Sequence, residues 1–378
     1  MPARLDPILS AKLEQQASKG ILRQLPRNKG PLVDFASNDY LGLARSIELS
    51  DLIEKEYLSQ GRINGSTGSR LLTGNDDYTE AVEAELAATF QSETALIFSS
   101  GYSANTAVLS SIPGKGDTII YDEFSHASIK DGARLSFAKR FSFAHNAVDD
   151  LERKIRIASG RVYVVVESIY SMDGDICPLR EIVELTKEKG AFLILDEAHS
   201  TGVTGIGGSG MAVDLGLADD IPIRIYTFGK AMGVHGACVA GSTSTRDYLI
   251  NFARPFIYTT APDRHTVASI RCAFRVLQHR PVLQQSLSEN IDVFLDQTRK
   301  FANRTHSPSA IQTLIIPGAD QVRSAARDLH NNGMDVRPIV SPTVPKGTER
   351  LRICLHSYNT PEEIKMLASF LQVHARYE

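Results

Sequence analysis

Ala191-Phe192-Leu193-Ile194-Leu195-Asp196-Glu197-Ala198-His199 decides the fold: five apolar residues run without a break into two acids and a histidine. A short uninterrupted apolar run reads as a strand buried on both faces, and the change to charge at Asp196 marks the strand end. A second run, Ile223 to Thr227, leads into Phe228-Gly229-Lys230 and places Lys230 thirty-four residues after Asp196. Outward from these two, β-rich runs recur at 95–98, 118–121, 162–166 and 237–240. The stretches 78–90, 148–158 and 179–189 between them carry apolar residues at helical spacing. Strands alternating with helices predict an α/β fold built on a mainly parallel sheet with crossover helices.

Past residue 262 the pattern changes. Long helical stretches at 264–278 and 282–301 precede short strand candidates at 311–316 and 350–355. A last helix opens at Thr360-Pro361-Glu362-Glu363, a polar cap followed by proline and acids in the first turn. The expected organisation is an N-terminal arm over 1–40, a large domain over 41–262 and a smaller C-terminal α+β domain over 263–378. The arm holds one helix with Leu5, Ile8, Leu9 and Leu13 on a face, then a basic stretch through Arg23, Arg27 and Lys29.

An acid closing one buried strand and a lysine closing another read as a pyridoxal phosphate site. The lysine amine supplies a Schiff base, and the carboxylate keeps the pyridine nitrogen protonated so that the ring accepts electrons from a carbanion. Two look-alikes fail on context. Asp-Glu-Ala-His also occurs at helicase magnesium sites, but neither Gly114-Lys115 nor Gly229-Lys230 completes a phosphate-binding loop. Gly205-Ile206-Gly207-Gly208-Ser209-Gly210 matches the dinucleotide fingerprint letter for letter, yet it follows a polar loop, and no clear helix opens from it. It is expected to be a mobile glycine loop beside the site.

Composition narrows the classes further. The 378 residues carry 41 basic and 44 acidic side chains, interspersed to a net charge of −3, so no electrostatic footprint for nucleic acid or an anionic membrane is present. No apolar run is long enough to span a bilayer, and the first residues lack a signal core, which makes the cytoplasm the expected compartment. Cys177, Cys238, Cys272 and Cys354 are too scattered for a zinc cage or a disulfide framework, and the ten histidines form no H-E-x-x-H pair, so no metal is expected.

Further strings join the two that opened the reading: Asp34-Phe35-Ala36-Ser37-Asn38-Asp39-Tyr40-Leu41-Gly42-Leu43, Gly65-Ser66-Thr67-Gly68-Ser69-Arg70, Ser100-Gly101-Tyr102-Ser103-Ala104-Asn105, Asp122-Glu123-Phe124-Ser125-His126-Ala127-Ser128, Ser171-Met172-Asp173-Gly174-Asp175 and Arg350-Leu351-Arg352. In this order the chain resembles the α-oxoamine synthases. These are pyridoxal 5'-phosphate enzymes of the fold-type I aminotransferase superfamily that join an amino acid to an acyl-CoA. The resemblance implies a homodimer with active sites at the subunit interface.

It also implies roles. Lys230 would bind the cofactor and shuttle the substrate's Cα proton, Asp196 would pair with the pyridine nitrogen, and His199 with the ring hydroxyl. His126 would stack on the ring and offer a hydrogen bond to the thioester carbonyl, with Ser171 near the ring hydroxyl. Gly101 and Tyr102, at a helix start, would cradle the phosphate together with Thr227. Thr259 or Thr260 would reach the phosphate of the neighbouring subunit. Arg352 would clamp the amino acid's carboxylate, with Arg350 as the obvious misassignment. Cys354 and His356 depart from the hydroxyl residues of some relatives, which leaves the acyl-chain contacts open. Within the family, the short chain, Gly68-Ser69-Arg70 and Pro342-Thr343-Val344-Pro345-Lys346-Gly347 look most like the branch that condenses L-alanine with pimeloyl-CoA or a pimeloyl carrier-protein thioester. Arg23 would meet the distal pimeloyl carboxylate. Sister branches using glycine or serine share the cofactor residues; a plain aminotransferase or a non-catalytic cofactor-binding scaffold are the remaining readings.

Overall fold

The computed structural model describes residues 5–25 and 31–377. Seven strands form the main sheet, in spatial order Thr94–Phe98, Ala237–Gly241, Ile223–Thr227, Phe192–Asp196, Val162–Glu167, Thr118–Asp122 and Lys139–Phe143. Six run in one direction; Ala237–Gly241 alone opposes its two neighbours. Six of the seven coincide with the apolar runs of the sequence. The seventh, Lys139–Phe143, was not expected: an edge strand with Lys139, Arg140 and Ser142 exposed carries charge in place of an apolar run, as free edges do. Expected helices form at Asp77–Thr89, Val148–Ile157 and Leu179–Lys189, and the helix Gly101–Ser111 packs over the sheet beside Ala127–Leu135.

Beyond the sheet, Arg264–His279 and Val282–Gln297 are long helices, and Arg337–Ile339, Arg350–Cys354 and Ile311–Ile315 make a three-stranded antiparallel sheet. The final helix Pro361–Leu371 has the expected cap: Thr360 accepts from the Glu363 N–H while the Glu363 side chain accepts from the Thr360 N–H. Across the expected boundary near residue 262 the core is continuous. Phe90 stacks on Tyr226 at 3.6 Å between centroids and meets Phe274 of the first long helix edge-on at 5.6 Å.

The expected arm divides into two parts. Its helix, Asp6–Ser18, buries no residue, and Leu5, Ile8, Leu9 and Leu13 are exposed. Arg27 and Lys29 of the basic stretch lie outside the described residues. Residues 33–40, by contrast, are built into the C-terminal part. Val33–Asp34 pairs in parallel with Met334–Asp335, Phe35 and Tyr40 are buried, and their carbonyls accept from Cys354 and Ser357. The segment reads as an arm because it is too short to show a strand period, yet its aromatic residues fill the core.

The glycine loop also differs from expectation. Rather than bordering the cavity described below, it is a packed turn: Gly202 donates to the Gly208 carbonyl, Gly210 to that of Thr204, and Gln284 donates to the Val203 and Gly205 carbonyls. Gly210, at φ +90°, allows close approach to Glu197, whose buried carboxylate accepts from the Met211 and Ala212 N–H groups.

Candidate active site

The parallel strands of the main sheet end on one edge, where ligands of open α/β sheets bind. Thr118–Asp122, Val162–Glu167 and Phe192–Asp196 each finish on an acid, and Ile223–Thr227 finishes on a threonine. Their ends open into a cavity of about 280 Å³ whose walls include Gly101, Asn105, His126, Asp196, Thr227 and Lys230. With Asn38 and Gly236 also on the walls, residues separated by up to 198 positions in sequence are thereby brought to one hollow.

Lys230 sits on a tight loop closed by Phe228 N–H to Gly236 O and Gly233 N–H to Lys230 O. Its Nζ lies 2.9 Å from His199 Nε2. Burial pulls the lysine amine down from its ordinary range, against the opposing pull of the Asp196 and Glu167 carboxylates. His199 is held well below the usual imidazole range by burial and by Lys230 and Arg352, so its ring is neutral. The neighbouring bonds assign its tautomer. Tyr40 Oη donates to Asn38 Oδ1 at 3.0 Å, which leaves His199 Nδ1–H to donate to Tyr40 Oη at 2.8 Å and Nε2 to accept from Lys230. Arg352 Nη2 donates to the same Asn38 oxygen at 3.1 Å. A chain of hydrogen bonds thus joins Lys230 to Arg352.

Asp196 is nearly fully buried. Its Oδ2 accepts from Asn105 Nδ2 at 2.7 Å and its Oδ1 from the Ala198 N–H at 2.8 Å. Next to it Glu167, equally buried, accepts the His126 N–H at 2.5 Å, and burial followed by the Asp196 charge raises its carboxyl group well above the carboxylate range. The His126 ring stands at the open side of the cavity, with Nδ1 2.8 Å from Ser128 Oγ.

At the opposite wall the helix Gly101–Ser111 begins with a capping box: Ser100 Oγ accepts from Ser103 N–H and Ser103 Oγ from Ser100 N–H. That cap leaves the Gly101 and Tyr102 N–H groups for a bound anion, where the helix dipole favours one. A Cβ at position 101 would lie 2.4 Å from Thr227 Cγ2, so only glycine lets helix start and strand end close into one cradle. The Tyr102 side chain turns outward and its hydroxyl donates to Asp131. The buried Asn105 Oδ1 has no partner among the described residues. An aromatic phosphate with a cationic ring nitrogen and an aldehyde fits these walls: an anion cradle at one end, a carboxylate at the other, an amine of lowered basicity between them.

The two arginines on the strand Arg350–Cys354 have different partners. Arg350 is spent on an ion pair with Asp173 and a bond to the Thr348 carbonyl. Arg352 is fixed by the Ser171 carbonyl at 2.7 Å and turned toward Asn38 on the cavity wall. Ser171 contributes that carbonyl, and its side chain is not among the cavity walls. Thr259 and Thr260 are exposed and lie outside the cavity, as does Arg23.

Four residues that shape the site were given no role from the sequence. Asn38, Tyr40 and Asn105 stand inside strings that carried the resemblance, but their use is visible only once distant segments meet. Glu167 follows the apolar run 162–166 with the same step from apolar to acidic that singled out Asp196. The string Gly68-Ser69-Arg70 has a structural use: Arg70 forms a buried two-point pair with Glu83, at 2.8 and 3.0 Å. Among the described residues no cluster of metal-ligating side chains occurs, the four cysteines are buried free thiols, and no helix is long and apolar enough to cross a membrane.

Residues 30–371 match the family described as aminotransferase class I and II. An 8-amino-7-oxononanoate synthase of Emericella nidulans is 39% identical over 98% of this chain and 97% of its own length. One from Lysinibacillus sphaericus is 39% identical over 89% of this chain and 86% of its own. Among solved structures, serine palmitoyltransferase from S. paucimobilis with bound PLP–myriocin aldimine superposes with TM-score 0.87 at 27% identity, covering 97% of this chain and 96% of that one. The 8-amino-7-oxononanoate synthase from Francisella tularensis gives TM-score 0.78 at 29% identity, covering 91% and 97%.

Proposed function

The chain belongs to the aminotransferase class I and II family, as a pyridoxal phosphate-dependent synthase of the acyltransferase type with a fold-type I architecture, and from that premise we propose that it condenses L-alanine with a pimeloyl thioester. The products are 8-amino-7-oxononanoate, carbon dioxide and the free thiol, a step toward biotin. Relatives of that name matching nearly the whole chain carry the proposal. The acyl donor is pimeloyl-CoA or the corresponding carrier-protein thioester.

The bound cofactor supplies an electron sink for the charge left at the amino acid's Cα. The rest falls to the protein. Arg352 binds the amino acid's carboxylate through its planar fork, and its bond to the Ser171 carbonyl fixes the direction in which the fork faces. Lys230, its amine made less basic by burial, removes the Cα proton and later returns one. Asp196, oriented by Asn105 and the Ala198 N–H, holds the proton on the pyridine nitrogen. His199 accepts from Lys230 and is kept neutral and in one tautomer by Tyr40. His126 covers the ring face and donates to the thioester carbonyl. Gly101, Tyr102 and Thr227 hold the phosphate, and Thr259 or Thr260 completes that cradle across a homodimer interface. Arg23 meets the distal carboxylate of the pimeloyl chain.

The test is thiol release from pimeloyl-CoA by cofactor-loaded protein offered L-alanine, glycine or L-serine in parallel. Turnover confined to L-alanine is expected. The close superposition on serine palmitoyltransferase gives the competing reading, a serine-using condensation with a long acyl chain. Release from palmitoyl-CoA with L-serine, and none from pimeloyl-CoA, would establish that reading instead and return Arg23 to the solvated surface.

A further inference from the structure

Three acids, Asp122, Glu167 and Asp196, end three neighbouring strands of the main sheet, and all three are almost inaccessible, at 0, 2 and 3% exposure. Glu167 and Asp196 are direct partners in the parallel register. Adjacent strands lie about 4.8 Å apart, and two buried carboxylates at that spacing do not both stay ionised unless each has its own compensation.

The three are compensated very differently. Asp122 has a cation: the His145 ring places Nδ1 2.9 Å from Asp122 Oδ1 and Nε2 2.5 Å from Asp175 Oδ2. With a carboxylate oxygen on each nitrogen, both nitrogens carry hydrogen and the ring is an imidazolium. The N–H groups of Phe124 and Asn146 also donate to Asp122. Asp196 has two neutral donors, Asn105 and Ala198, and faces the position of the cofactor's ring nitrogen. Glu167, between them, has one donor among the described residues, the His126 N–H, and no ion-pair partner. The charged and titratable groups around it are Asp196 on one neighbouring strand, Asp122 on the other, His126 on the loop after that strand, the buried Tyr170 hydroxyl on the loop after its own strand, and Lys230 across the cavity. Burial opposes its ionisation most, the Asp196 and Asp122 charges add to that, and the His126 N–H bond and the Lys230 charge act against them without reversing the balance.

We propose that Glu167 is a positioning residue kept as a neutral carboxylic acid: it anchors the His126 backbone at the cavity wall and leaves Asp196 as the single negative charge behind the cofactor's ring. This rests on the reading of Asp196 as the partner of the ring nitrogen. A second anion at Glu167 would offer the ring proton an alternative site. A neutral acid supplies the same anchor without that competition. The proton sits on Glu167, the acid with a single donor.

The experiment compares wild-type, E167Q and E167A holoenzymes by infrared difference spectroscopy and by pyridoxal phosphate titration of the apoproteins. At pH 7 the wild type should show the carbonyl stretch of a protonated carboxyl group, absent from E167Q and bleached as the pH is raised into the alkaline range. E167Q, an isostere of the neutral acid, should bind the cofactor within about threefold of wild type, while E167A, with the His126 N–H unpaired, should bind about tenfold more weakly. Absence of the band at pH 7, its survival in E167Q, or a loss in E167Q as large as in E167A would each overturn the proposal. If E167Q does not fold, loss of the band in E167A decides in its place. Failure of wild-type protein to take up pyridoxal phosphate would overturn the reading of Asp196 itself, whereas uptake without the band overturns only the neutral acid.

Discussion

Asp122 and Asp196 end parallel strands two places apart in the same sheet, and both are buried, yet one is locked into the protein's own electrostatics and the other is left open. Asp122 is matched by the His145 imidazolium and two backbone N–H groups; His145 also lies against the Phe124 ring at 4.4 Å and binds Asp175 on the loop that carries Ser171. Asp196 is matched by neutral donors alone and faces a cavity. A buried acid with its own cation is a structural device, whereas one with oriented neutral donors and an open side awaits a cation from outside. The contrast predicts that damage to the two acids separates into stability and chemistry.

The largest effect belongs to the open side. Lys230→Ala and Asp196→Asn should each lower kcat by about 10³-fold or more while shifting the melting temperature of the apoprotein less than a change at Asp122 does, because neither removes one half of a buried ion pair. Thiol release and calorimetry on the same preparations check this. A comparable loss of stability in Asp196→Asn would erase the distinction between the two acids.

Next comes the closed side. Asp122→Asn removes one partner of a buried pair and should cost about 3 kcal/mol in denaturant unfolding, with kcat within about tenfold at low temperature. His145 adds a pH signature. Burial opposes its charge, but the hydrogen bonds to Asp122 and Asp175 more than offset this and raise its pKa from 6.5 to about 10. The folded state therefore holds a proton that the unfolded state releases above its ordinary imidazole range. This contribution to stability is fully present below pH 6.5 and is lost as pH rises toward 10, with the shift setting an upper bound of about 5 kcal/mol. Unfolding free energies measured from pH 6 to 10 should fall in the wild type, and this slope should be missing in His145→Gln. A parallel slope in both proteins would mean that His145 is not the charged partner.

These two regions were unequally legible in the sequence. Asp196 and Lys230 were readable because buried parallel strands announce themselves as apolar runs and a charge at their end is conspicuous. Asp122 stood in a quoted string without a role, and His145 was passed over because a histidine in a polar stretch gives no hint that two distant carboxylates will converge on it. The edge strand Lys139–Phe143 was missed for a related reason: on an open edge, charge replaces the apolar run. Arg352 and Arg350 share a strand, and only their partners, Ser171 and Asn38 against Asp173, tell them apart. Sequence spacing located the elements, while the assignments that depend on three-dimensional convergence had to wait for the fold.

The smallest expected effect refines the open side. Asn105 gives Asp196 one of its two donors, whereas Glu167 accepts from the His126 N–H alone among the described residues. Asn105→Ala removes that donor and should weaken the hold of Asp196 on the ring nitrogen. Cofactor affinity should fall about tenfold at pH 7, the scale of one lost hydrogen bond to a charged group. An unchanged affinity would mean that Asn105 acts only as a wall of the cavity.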